Sequence, residues 1–183
     1  MGFDVPAIES LGRDKEESFG TLFSTYQASI YRYLRSLVRD GELAEDLAQD
    51  TFVKAYKALG RGDRPENTRA WLYTIATNTA LSALRRSRLL SWLPLLGNAE
   101  AAGKALTENQ EARVGERELI RQVLATLPKT DAACLLLRFQ EDLSYEEIAE
   151  ALGTSVPAAK MRVSRARAAF REHYLQLNQG ARL

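Results

Sequence analysis

One cysteine and one histidine are all the chain has of the two side chains most used for disulfides, soft metal sites and nucleophilic or acid–base catalysis. With Cys134 alone, an intrachain disulfide and a cysteine-rich zinc site are excluded. Cys134 lies in the apolar run Ala132-Ala133-Cys134-Leu135-Leu136-Leu137, where a buried structural thiol is expected. A lone His173 argues against most histidine-based catalysis and against His-rich metal binding, so no cofactor or metal is expected. Prolines number only 5, and no run approaches the roughly 18 apolar residues needed to cross a bilayer. The start, Met1-Gly2-Phe3-Asp4-Val5-Pro6, lacks the basic and apolar parts of a signal peptide, and Pro6 stands where a myristoylation motif has Ser or Thr. A cytoplasmic protein without direct membrane insertion is expected.

Net charge is nearly absent too, at +1, but the balance conceals a switch. Asp131 to Leu152 carries six acids against one base, −5, and Gly153 to Leu183 carries six bases against one acid, +5. Such a reversal within one segment marks a local phosphate-facing element rather than a generally basic protein.

Helical periodicity dominates what is there. Phe19, Leu22, Phe23, Tyr26, Ile30, Tyr33, Leu34 and Leu37 recur at spacings of three and four, which predicts a helix over Ser18 to Val38. A second is predicted from about Glu42 to Leu59, and Gly60-Arg61-Gly62-Asp63-Arg64-Pro65 then interrupts the chain. A third starts at Asn67 or Thr68 as N-cap and runs through Trp71, Leu72, Ile75, Ala76, Ala80 and Leu84 to Arg85, Arg86 and Arg88. From Leu89 to Asn109 the composition changes to an apolar opening, Leu89-Leu90-Ser91-Trp92-Leu93-Pro94-Leu95-Leu96, and then to small and polar residues. Pro94, Gly97 and Gly103 break any continuous helix there. The segment reads as a linker, its start either packed on its own domain or a docking strip for a partner.

Four short helices follow: Glu111 to Leu127, Thr130 to about Gln140, one opened by the capping box Ser144-Tyr145-Glu146-Glu147, and one from Ser155 to about Leu177. No segment alternates as a strand does. The fold class is therefore all-α: two small helical domains joined by a flexible linker. The parts are an N-terminal tail 1–17, a first domain 18–90, a linker 91–110, a second domain 111–178 and a C-terminal tail 179–183. Ile148, Ala149, Leu152, Gly153 and Val156 are spaced as a helix-turn-helix requires, with Gly153 making the turn. The last helix has an inner stripe of Val156, Ala159, Val163, Ala166 and Phe170, and an outer face of Lys160, Arg162, Ser164, Arg165, Arg167 and Arg171. That pattern suits a helix in the major groove, although a basic amphipathic helix can also be a solvated face.

Four blocks, in order, resemble the extracytoplasmic-function sigma factors. Glu45-Asp46-Leu47-Ala48-Gln49-Asp50-Thr51-Phe52 is similar to their core-binding signature. Thr68-Arg69-Ala70-Trp71-Leu72-Tyr73-Thr74-Ile75-Ala76-Thr77-Asn78 is similar to their promoter-melting segment. Leu143-Ser144-Tyr145-Glu146-Glu147-Ile148-Ala149 and Ser164-Arg165-Ala166-Arg167 resemble their C-terminal helix-turn-helix. The resemblance spans residues 18 to 175.

It implies a promoter-selecting subunit that performs no catalysis. Its partners would be RNA polymerase core (clamp helices of the largest subunit, flap of the second), promoter DNA and an anti-sigma factor. It assigns Asp46, Gln49 and Asp50 to the polymerase. It assigns Arg61, Arg64, Asn67, Thr68 and Asn78 to the −10 element, with Arg85, Arg86 and Arg88 on phosphate. Lys160, Met161, Ser164 and Arg165 would face −35 bases, and Arg162, Arg167 and Arg171 would hold phosphates. Trp71 suits either the core or base stacking, with the core favoured. The chain departs from the family at Pro157-Ala158-Ala159 and Met161, where Gly-Thr-Val and a small polar residue are usual; Met161 suits a thymine methyl instead.

Two rivals keep their place at this point. An autonomous helix-turn-helix regulator explains the C-terminal half but not the acidic face at Asp46 and Asp50. A metal-dependent nucleic-acid enzyme built on Glu45, Asp46 and Asp50 has no second acidic cluster to complete a coordination sphere.

Overall fold

Apolar residues at helical spacing leave each segment with one face that must find a partner, and the computed structural model shows how they pair. It describes residues 6–63, 65–90 and 111–180, with side chains over 19–63, 65–87 and 115–178. The helices are α1 (Pro6–Val38), α2 (Gly41–Gly60), α3 (Thr68–Leu90), α4 (Glu111–Thr126), α5 (Lys129–Leu135), α6 (Tyr145–Ala151) and α7 (Val156–Gly180). A π-helical turn, Leu136–Gln140, continues α5. No strand occurs among the described residues. The apolar strip of the expected linker, from Ser91 onward, lies outside them.

α1 begins well before the expected Ser18, at Pro6. Proline is at home in the first turn, where its missing N–H is not needed. The stretch after it has no apolar stripe at three-and-four spacing, so periodicity did not extend the helix there. Arg39, at φ 67, breaks α1 from α2, and the Asp40 carboxylate caps α2 by accepting from the Leu43 N–H at 3.0 Å. Asn67 does the same for α3, accepting from the Ala70 N–H at 3.0 Å.

α1, α2 and α3 pack together around Ile30, Tyr33, Leu34, Leu37, Leu47, Phe52, Leu72 and Tyr73. Alanines 44, 55, 70, 76 and 80 line the inner faces of α2 and α3, all of them buried, and their small side chains let the helices approach closely. The Tyr33 phenol, fully buried, is hydrogen-bonded to the Thr77 hydroxyl at 2.8 Å and stands edge-on to Tyr73. Burial pushes its pKa far above the usual tyrosine range, so the ring stays neutral and the pair is a satisfied polar contact inside an apolar core.

The second half packs α4, α5 and α6 against α7. Cys134 is fully buried, as expected, and burial raises its thiol pKa to about 12, which leaves it inert. The capping box at α6 is complete: the Ser144 hydroxyl accepts from the Glu147 N–H at 3.1 Å, and the Glu147 carboxylate accepts from the Ser144 N–H at 2.6 Å. Gly153 sits at φ +59, with the Thr154 N–H donating back to the Ala149 carbonyl at 2.9 Å, so the turn needs a residue tolerant of the left-handed region. Ser144→Ala should cost about 1 kcal/mol, measured by urea unfolding, because it removes one of the two reciprocal caps. A midpoint unchanged from wild type would mean that tertiary packing alone holds α6.

The halves are not independent beads. α6 lies against α3, and the π turn lies against α1, so one apolar cluster runs from Leu22 to Ala166.

Candidate nucleic-acid interface

On α2 the small or apolar side chains Leu47, Ala48, Thr51 and Phe52 turn inward, which leaves Glu45, Asp46, Gln49 and Asp50 exposed on the outer face. Asp46 and Asp50 are one helical turn apart and Gln49 lies beside them, so the three present an acceptor-rich strip. Next to the strip is a shallow cavity of about 370 Å³, lined by Phe23, Gln27 and Tyr31 from α1 and by Glu45, Ala48, Gln49 and Phe52 from α2. Phe23 is 41% exposed although its ring stands edge-on to Phe52 at 4.8 Å. Its place in the regular apolar stripe of α1 gives no sign of this apolar extension of the acidic strip. No group of three or more acids, histidines or cysteines that could hold a metal occurs among the described residues.

The loop between α2 and α3 carries Arg61 exposed, with Gly62 at φ 103 turning the chain. Arg64 lies outside the described residues. Asn67 is exposed and has two bonds: its carbonyl caps α3, and its amide donates to Glu147 Oε1 of α6 at 2.5 Å. Thr68 is half-buried at the helix start, and Asn78 is exposed further along α3. Next to it in sequence, buried Thr79 accepts from Lys54 Nζ of α2 at 2.8 Å, a link between α2 and α3 that sequence spacing could not reveal. Arg85 and Arg86 are exposed, Arg85 donating to the Leu81 carbonyl at 3.3 Å; the Arg88 side chain is outside the described set. Trp71 is half-buried and packs on the core, which favours its packing role.

On α7 the inner stripe Ala159, Val163 and Ala166 is buried, and Lys160, Met161, Ser164, Arg165, Arg167 and Arg171 are exposed. Met161 is 59% exposed, an apolar tip in the middle of a polar surface. Two of the cations are already positioned by the preceding helices. Lys160 Nζ lies 5.6 Å from the Tyr145 ring centre, with Arg138 at 5.2 Å from the same ring. Arg162 is half-buried and pairs with Asp131 at 3.3 Å. Arg167 and Phe170 reach a separate groove of about 860 Å³, floored by Ile120, Leu124, Leu136 and Phe139 and edged by Arg32, Arg117 and Arg121. The π turn presents Phe139 there, 61% exposed.

The Sigma-70 region 2 family matches residues 22–89, and the Sigma-70, region 4 family matches residues 117–170. The chain is 32% identical over 169 residues to RNA polymerase sigma factor YlaC of Bacillus subtilis, covering 91% of this chain and 98% of that protein. It is 31% identical over 178 residues to the ECF RNA polymerase sigma-E factor of Salmonella typhimurium, covering 91% and 92%. Among solved structures it is similar to the sigma factor RpoE of Bartonella quintana, crystallised with the anti-sigma factor NepR, at TM-score 0.66 and 25% identity, covering 86% of this chain and 96% of that one.

Proposed function

The chain belongs to the extracytoplasmic-function sigma factors, and from that premise we propose a role for each of its exposed surfaces. It is an alternative sigma factor: it binds RNA polymerase core, directs it to particular promoters and is controlled by an anti-sigma factor. Catalysis stays with the polymerase, so the work is done where the polymerase is, in the cytoplasm.

The observation that carries the assignment of surfaces is the segregation of charge. The acidic strip Asp46, Gln49 and Asp50 lies on the outside of α2 and suits the basic side chains of a clamp-helix partner. The apolar ledge of Phe23 and Tyr31 would supply the buried contact that a stable interface needs beside its charges. Arg61, Arg64, Asn67, Thr68 and Asn78 would surround the captured −10 base, and Arg85, Arg86 and Arg88 would run along phosphate. On α7, Met161, Ser164 and Arg165 would face −35 bases. Lys160 would face bases beside them, and Arg162, Arg167 and Arg171 would hold backbone. The apolar groove with its arginine rim suits a partner helix whose apolar stripe is edged by carboxylates, which is the chemistry expected of the anti-sigma factor.

The test is binding of the purified chain to polymerase core, followed by transcription of a genomic library and alignment of the start sites. Tight binding and a shared upstream element support the reading. A dimer that binds palindromic duplex without polymerase would replace it with the autonomous regulator.

Base and phosphate contacts on α7 can be separated. Arg165→Ala should cost about 1–3 kcal/mol of promoter preference and relax selection at one −35 position. Arg167→Ala should weaken all promoters alike and flatten the salt dependence of binding by about one counterion. Transcription from a library randomised across the −35 element checks both, and equal, unselective losses would remove Arg165 from base reading.

A further inference from the structure

Leu89 to Ala99 carries no charge, and within it Trp92-Leu93-Pro94-Leu95-Leu96 is an unbroken apolar run. A run of this kind marks an interaction when nothing covers it. The chain also offers a surface of matching character. The arginine-rimmed groove has an apolar floor on which Ile120 is 37% and Phe139 61% exposed. Phe139 is aimed there by the π turn, a rare arrangement found mostly at functional sites. Of the arginines at the edge, Arg121 pairs with Glu118 at 3.1 Å, while Arg32, Arg117 and Arg167 have no acid partner among the described residues.

We propose that in the free chain this groove is filled by the chain's own apolar strip, with Leu93, Leu95 and Leu96 against Ile120 and Phe139 and with Glu100 near the arginine edge. Length and attachment favour it. Residues 91–110 leave α3 at Leu90 and enter α4 at Glu111, and α4 is itself a wall of the groove. The Tyr33–Thr77 hydrogen bond sets α1 and α3 side by side next to Arg32, and α3 runs on from Thr77 to Leu90 for about 20 Å. Ser91 to Leu96, extended, covers about 20 Å on the way back. Gly97 to Gln110 can then span up to about 46 Å, and Arg117 follows Glu111 by only about 9 Å of helix.

Charge fits as well as length. Glu100 is the first charged residue after Arg88, four positions beyond Leu96, and its sign is opposite to that of the edge. The strip is thereby a competitor, carried on the same chain, of the partner helix assigned to this groove above. Held at an effective concentration of about a millimolar, it must be displaced before that helix can seat. Its docking needs neither polymerase nor DNA, so it stands apart from the sigma reading.

Anilinonaphthalene sulfonate, an apolar anion, is the probe, because it needs both features of the groove. The full chain with Leu93→Ser, Leu95→Ser and Leu96→Ser combined should bind the dye about tenfold more tightly than the wild type, as the groove is uncovered. A strip exposed to water would itself attract the dye, and serine would then lower binding. Phe139→Ser, at an exposed position, should abolish the gain. Disulfide trapping locates the strip independently, since the native Cys134 is buried. Leu95→Cys should pair with Ile120→Cys within one chain at least about tenfold faster than with Val53→Cys, which is exposed on α2. Serine substitutions that leave dye binding unchanged or lower it, a gain that survives Phe139→Ser, or equal trapping rates overturn the docking. Cross-links found only between two chains overturn it too, and give the groove to a second copy.

Discussion

Replacing Asp46 and Asp50 together by alanine is expected to weaken binding to polymerase core by a factor of roughly 30 to 1000, about 2–4 kcal/mol. Both carboxylates lie on the exposed face of α2, one turn apart, so they can engage the same basic surface at once. Truncating one side of a desolvated charge pair costs more than the pair is worth, because the partner cation is left buried without its acceptor. Alanine is the stronger helix former, and neither carboxylate caps α2, which Asp40 does. Thermal stability should therefore stay near wild type, within the small range usual for surface substitutions. Competition against a labelled reference sigma factor for core is the measurement. A double variant that competes as well as the wild type would remove this face from the polymerase interface.

The largest stability effect is expected at Ile148→Ala, about 2–5 kcal/mol. Ile148 is fully buried in α6, in the cluster that includes Leu137, Leu143 and Val163. Cutting the side chain back to Cβ removes its transfer free energy and leaves a cavity between α6 and its neighbours that a short capped helix cannot collapse to fill. In a protein of this size the melting temperature should fall by roughly 4–20 °C, read by calorimetry or circular dichroism. Under the proposed assignment of surfaces, transcription should fail first at promoters that depend on their −35 element, since α6 and α7 are the elements loosened, while core binding should persist at low temperature. A shift under one degree would mean that Ile148 is not a keystone of the turn.

Much of this architecture is legible in the chain itself because its signals are local. Ser144 and Glu147 are three residues apart, and a capping box needs nothing from elsewhere. Gly153 takes up φ +59 because a tight turn between two helices demands it, whatever packs around it. The inner stripe Ala159, Val163 and Ala166 follows from helical period alone, and the outward placement of Arg165 and Met161 follows from the stripe. The early start of α1 was not legible, because a helix without an amphipathic face carries no periodic signal.

Between segments far apart in sequence, local rules are silent. Nothing near Phe139 says that a π turn will place it outside, on a basic-rimmed groove. Neither Lys54 nor Thr79 announces the other, and Phe23, one member of a regular apolar stripe, became surface because α2 leaves a gap beside it. Above all, nothing near Glu141 or Glu147 in sequence names Tyr73 or Asn67; only the packing of the π turn's end and of α6 beside α3 gives the two carboxylates those partners. The amphipathic helices, their caps, the turn and the inner and outer faces follow from local order along the chain, since each depends on neighbours within a few residues. Which of those faces meet, and so which carboxylates face solvent and which bond to Tyr73 and Asn67, depends on packing, because burial and pairing arise between elements that are distant along the chain.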